Sequence, residues 1–148
     1  AVGYLNRICH DYENVYIVFS STWRADKKEK VENYFKAAFD RLKAAVQLEE
    51  LPYSIRFDNT DPESWRTPFN KSIELPRGRE IDEWLRRHGT EDTRYIILDD
   101  DTDFFPWHQP YFYNTHEISG LTSNDYCDLC DMIETIEPPR QMRLDLKL

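Results

Sequence analysis

Four aspartates fall within five positions, Asp99, Asp100, Asp101 and Asp103, and charges of one sign packed that densely repel unless something positive sits among them. Carboxylate oxygens are the hard donors Mg²⁺ prefers; it takes one or two from a protein and completes its shell with water and phosphate. A solvated acidic turn is the ordinary alternative. The position directly after the apolar run Tyr95-Ile96-Ile97-Leu98 favours the metal reading. The alternation of Asp99, Asp101 and Asp103 also suits calcium. An EF-hand, however, needs Gly at the sixth loop position and Glu at the twelfth, and neither is present.

A second polar cluster, Ser20-Ser21-Thr22-Trp23-Arg24, follows the apolar run Val15–Phe19. Its hydroxyls can donate to a phosphate and Arg24 can grip one bidentately, although a helix N-cap explains Ser-Ser-Thr equally well. Arg77 and Arg79 open a helical pattern, where free backbone N–H groups already favour phosphate; exposed surface arginines are the plainer alternative. The histidines are scattered, and no Ser or Cys stands in a nucleophile-elbow context. Four glycines leave no glycine-rich phosphate loop. Cys127 and Cys130 form a lone Cys-x-x-Cys; zinc would need two more ligands, with only Cys9 and His10 to offer, so two half-buried thiols on one helix face are expected.

These residues need elements to place them. Val15–Phe19 is apolar without interruption, which predicts a strand covered on both faces, as in parallel sheets flanked by helices. Tyr53–Phe57 reads as a second short strand and Tyr95–Leu98 as a third. A short amphipathic helix is expected over Val2–His10. The strongest helical period runs from Asp26 to Gln47 through Val31, Tyr34, Phe35, Ala38, Phe39, Leu42, Ala45 and Val46. A further helix starts near Pro76, buries Ile81, Trp84, Leu85 and His88, and stops at Gly89. The last has Ser123 as N-cap, buries Leu129, Met132, Ile133 and Ile136, and ends at Pro138-Pro139. The alternating tail Arg143–Leu148 suits a C-terminal edge strand with one wet face. Alternating strands and helices imply an α/β class with a mostly parallel sheet, whose ligands bind at the carboxyl ends of the strands. Both polar clusters fall there.

The 148 residues, 40% apolar and 14% aromatic, are one domain's worth and suffice for a packed core. A net charge of -9 argues against stable nonspecific binding to bulk nucleic acid. No apolar run approaches the ~20 residues of a membrane span, no secretory leader is visible, and three cysteines make no disulfide framework, so a reducing, cytoplasmic setting is expected.

Taken in order, Ile17-Val18-Phe19-Ser20-Ser21-Thr22-Trp23-Arg24, Thr67-Pro68, Arg77-Gly78-Arg79-Glu80-Ile81 with Trp84-Leu85, Tyr95-Ile96-Ile97-Leu98-Asp99-Asp100-Asp101 and Gly120-Leu121-Thr122 resemble the haloacid-dehalogenase-type (HAD) domain of phage and bacterial proteins linked to RNA repair. The resemblance runs from the first helix to about Ile136. It implies a Rossmann-like HAD core, one domain over 1–148, Mg²⁺, and phosphoryl hydrolysis through an aspartyl-phosphate. Ser20, with Ser21 the lesser candidate, then corresponds to the hydroxyl that holds the transferring phosphoryl group. Arg77, or Arg79 if the register slips, corresponds to the basic residue that steadies nucleophile and phosphate. Asp99 and Asp100 correspond to the metal motif with Asp103 as helper, and Arg24 is an added phosphate contact. The implied partner is a phosphorylated small molecule or a nucleic-acid end.

One part of the pattern has no counterpart. The family opens with an apolar strand ending in Asp-x-Asp, whose first Asp is the nucleophile, whereas Ala1 stands at the helix that follows that strand. Asp145 is the weaker candidate to replace it, because its run alternates with Arg143 and Lys147. The expectation is a truncated or nucleophile-less phosphatase-like chain, inactive alone. The alternatives are a catalytically inactive phosphate-ligand or protein-binding module, or an unrelated acidic α/β binding module.

Overall fold

The computed structural model describes residues 2–20, 25–46, 52–68, 76–100, 104–115 and 121–138. The chain divides into two compact units, Ala1–Trp65 and Arg66–Leu148.

The first unit is built on α1 (Val2–Asp11) and α2 (Lys28–Val46). The two helices approach closely at Gly3, where a Cβ would stand 2.7 Å from the Leu42 side chain. The period of α2 does what its spacing predicts. Val31 and Phe39 are buried on one face, and Val31 forms a core with Ile55, Phe57 and Trp65 against Val2, Leu5, Ile17, Phe19, Phe35 and Tyr53. Each fully buried side chain of this size contributes roughly 1.5–3 kcal/mol. Phe19, Phe35 and Phe57 interlock at centroid distances of 5.3, 5.4 and 5.8 Å.

The two strands expected here shrink to one parallel bridge, Ile17 to Phe57. Ile17 N–H donates to the Arg56 carbonyl at 2.8 Å and Asp58 N–H to the Ile17 carbonyl at 2.9 Å. The ladder goes no further because its neighbours bond elsewhere. Phe19 N–H donates to the Trp65 carbonyl, while Asn6, fully buried, accepts from Ser54 N–H at 2.5 Å and donates to the Pro52 carbonyl at 3.1 Å. Nor is the Val15–Phe19 run covered on both faces: Tyr16 is exposed and the other four residues are half-buried.

The second unit carries α3 (Arg77–His88), β1 (Ile97–Asp99), a 3-10 helix over Pro106–Tyr111, β2 (Phe112–Asn114) and α4 (Ser123–Thr135). β1 and β2 pair in parallel, with Ile97 opposite Phe112, Leu98 opposite Tyr113 and Asp99 opposite Asn114. The expected third strand therefore exists, but it begins two residues late. Leu98 is exposed between buried Ile97 and Asp99, so this strand too has only one covered face. Ile81, Leu85 and Ile97 form the core, with Trp84, Tyr95, Phe104 and Phe112 packed on it.

Gly89 does cap α3, its N–H donating to the Leu85 carbonyl. The N-cap of α4 is Thr122 rather than Ser123: the Thr122 hydroxyl accepts from Asp125 N–H, and the Asp125 carboxylate accepts from Thr122 N–H, a reciprocal capping box. Of the four residues expected to be buried by α4, Leu129 is buried while Met132, Ile133 and Ile136 are half-buried. The tail strand at 143–148 lies outside the described residues. The described pairing is parallel and helices alternate with it, an α/β arrangement. No helix among the described residues is long and apolar enough to cross a membrane.

Candidate functional site

β1 ends on Asp99, whose side chain is 4% exposed. α3 begins on Arg77, directly after Pro76, which gives the helix no side-chain cap. Arg77 Nη1 donates to Asp99 Oδ2 at 2.5 Å. A guanidinium at the first turn opposes the positive end of the helix dipole, and the buried carboxylate offsets both charges. The same local excess of positive charge is what a phosphate would complete.

Arg77 and Asp99 are brought together. Asp100 is exposed beside Asp99, and Arg79 is exposed in the first turn of α3. Ser20 is half-buried in the first unit. Ser21, Arg24 and Asp103 lie outside the described residues. Asp99 and Asp100 supply the one or two carboxylate oxygens that Mg²⁺ takes from a protein, so the donor set fits that ion. No group of three or more His, Cys, Asp or Glu that could hold a metal exists among the described residues. Cys127 is exposed rather than half-buried, Cys130 is half-buried, and Cys9 is fully buried, where loss of hydration pushes its thiol up.

Sequence reasoning passed over His108 and Asp82. His108 has no exposed surface. Its Nδ1 accepts from Phe105 N–H at 3.1 Å, and its Nε2 lies 2.7 Å from Asp82 Oδ1. A ring nitrogen that accepts carries no proton, so the proton sits on Nε2 and is donated to Asp82. The indole N–H of Trp107 donates to Asp82 Oδ2 at 3.0 Å. A local signal for half of this existed: Pro106 at a first helical position, with His108 three residues after Phe105, is a capping pattern. The Asp82 partner is 26 residues away, and no spacing rule marks it.

Beyond the site, Tyr113 shares its hydroxyl between Asp125 Oδ1 at 2.6 Å and Asp128 Oδ2 at 3.1 Å. Burial and these two acceptors push the phenol up, so it stays protonated. On the outer face of α3, hydrogen bonds from Arg86 and then Arg87 hold the Glu83 carboxyl down at about 2. Its folded value lies below the ordinary one, so the stability it contributes is present above about pH 4.5 and is lost as pH falls toward about 2. The clamp is exposed, and exposed pairs are weak and screened. Glu83→Gln should therefore lower the melting temperature by no more than about 2 °C at pH 7, and by less in 1 M salt or at pH 2. A larger, salt-insensitive drop would show that Glu83 does more than sit on the surface.

A short parallel sheet ends on a buried carboxylate paired to an arginine at a helix N-terminus, in an α/β arrangement. A family profile described as the HAD domain in Swiss Army Knife RNA repair proteins matches residues 1–126, and the chain belongs to that family. No curated protein and no solved structure gives a significant match.

Proposed function

We propose that the chain is a Mg²⁺-dependent HAD-type phosphohydrolase module with a Rossmann-like core, acting on the phosphate of a nucleotide or polynucleotide end. The observation that carries this reading is the Arg77–Asp99 pair, a buried carboxylate and a guanidinium meeting where a strand ends and a helix begins. Arg77 steadies phosphate oxygens, with Arg79 as an added contact; the phosphate-contact roles proposed for Ser20, Ser21 and Arg24 rest on the family motif they match. Asp99 and Asp100, helped by Asp103, would hold Mg²⁺, which when bound neutralises phosphate charge. The aromatic residues Phe104, Phe105, Trp107, Tyr111, Phe112 and Tyr113 offer rings that a nucleobase could stack on, though Phe105 and Trp107 already stack on each other at 4.5 Å, which supports packing more than reading of bases.

A second reading, a phosphate-ligand or protein-binding module without turnover, is favoured by the same geometry. Asp99, the carboxylate that the resemblance gives to the metal, is engaged by the Arg77 guanidinium.

The test is phosphate release from a 3′-phosphorylated oligoribonucleotide and from an aryl phosphate with Mg²⁺, beside calorimetric titration with Mg²⁺ and inorganic phosphate. Asp100→Asn and Arg77→Met are run in parallel. Turnover that disappears in both variants supports the first reading. Binding of Mg²⁺ and phosphate without release supports the second. A folded chain that neither binds nor releases phosphate overturns both.

A further inference from the structure

Arg77 is useful only if α3 is held at one height and one rotation, and the contacts at its first two turns are unusual for a surface helix. A Cβ on Gly78 would stand 3.1 Å from His108 Cε1 and 3.1 Å from Phe105 Cδ2. The imidazole edge therefore fills the space that a side chain would need, next in sequence to Arg77. One turn further on, Asp82 takes the Nε2 proton of the same ring and the Trp107 indole N–H. The ring is boxed by Tyr95, Phe104, Phe105 and Trp107, with centroids 6.4, 6.1, 5.8 and 5.7 Å away. It is anchored from behind by Phe105 N–H. One imidazole thus touches α3 by contact at residue 78 and by a directional bond at residue 82. A slide or rotation of the helix that preserved one would break the other. Apolar packing alone tolerates small shifts of register, whereas a fully satisfied buried polar network specifies one arrangement.

We infer that His108 and Asp82 are a positioning pair: they fix the first turn of α3 and so set where the Arg77 guanidinium meets Asp99. Neither touches substrate. The importance of that placement rests on the phosphohydrolase reading, but its test does not require turnover.

The full chain is labelled with ¹⁵N-arginine, and the Arg77 guanidinium signal is assigned by its loss in Arg77→Met. A guanidinium held on one side by a buried carboxylate rotates slowly about Cζ–Nε and shows separate Nη signals. His108→Gln, whose amide nitrogen can replace Nε2 toward Asp82, should keep them separate. His108→Leu, which fills volume but leaves Asp82 without the ring donor, should merge them, even where the two variants melt alike. A purely structural His108 would lower the melting temperature and leave the Arg77 pattern as it was. Merging in both variants, or in neither, overturns the inference. If His108→Leu does not fold, Gly78→Ala presses the same contact from the helix side: a merged pattern supports the inference and an unchanged one overturns it. The parent is also titrated with Mg²⁺ and inorganic phosphate. The expected Arg77 change without phosphate binding defeats the proposed function but not the positioning role. Phosphate binding with an unchanged Arg77 pattern defeats the positioning role alone.

Discussion

Arg77→Met should destabilise the chain by about 2–4 kcal/mol, and by more than Asp99→Asn does. Removing one member of a buried pair costs about 3–5 kcal/mol because the other charge is left in a poorly hydrated place. Here the two members differ. The Asp99 side chain is 4% exposed and that of Arg77 32%. Without Arg77 the carboxylate has lost its guanidinium partner and little water can reach it. Without the Asp99 charge, the guanidinium turns into solvent at small cost. At roughly 2–4 °C per kcal/mol for a chain of this length, the arginine variant should melt roughly 5–15 °C below the parent. Because the pair is shielded from solvent, most of that difference should survive 0.5 M salt, unlike the effect of Glu83→Gln. Thermal melts of the two single variants and the double variant check this, and a larger loss in Asp99→Asn than in Arg77→Met would refute it. Both variants should also lose Mg²⁺-dependent phosphate binding.

Arg56→Met should cost about 3 kcal/mol or more and should loosen the end of α1 first. Arg56 Nη2 donates to the carbonyls of Cys9 at 2.6 Å, Tyr12 at 2.7 Å and Val15 at 3.2 Å, and Nη1 to that of Ser54 at 3.4 Å. The last carbonyls of a helix have no partner inside it, and each buried group left unsatisfied costs about 1–3 kcal/mol. Methionine matches the aliphatic stem and replaces none of these bonds. Lysine should recover only part of the loss, since its ammonium stops one bond short of Nη2 and one nitrogen cannot serve the Ser54 carbonyl as well. Chemical denaturation gives the magnitude. Hydrogen exchange gives the place: protection should fall at Tyr12, whose N–H donates to the Ile8 carbonyl, and at Ile17, before it falls in α2. A variant within about 0.5 kcal/mol of the parent would mean that water satisfies those carbonyls.

What the sequence by itself determined is what local rules govern. The 3.6-residue period placed α2 and α3 to within about two residues, Gly89 and Pro138 marked where helices stop, and Asp99 was legible as a carboxylate at the end of an apolar run. The ordered motifs pointed to the HAD family that the profile match shows. Even a local rule was ambiguous where Thr122 and Ser123 could both cap α4; the reciprocal bonds with Asp125 decided for Thr122.

Tertiary structure decided the rest, because the partners that satisfy a polar group are chosen by proximity in space. Apolar continuity at Val15–Phe19 promised a long strand. Its backbone groups had competing partners in the Arg56 guanidinium and the Trp65 carbonyl, those of the facing segment had Asn6, and the ladder shortened to one bridge. Arg56 binds carbonyls 41 to 47 residues away, and Asp82 binds a histidine 26 residues away; nothing in the local spacing of either residue records this. Periodicity reports which face of an element is apolar, and it carries no information about which distant donor meets which acceptor once the faces have packed.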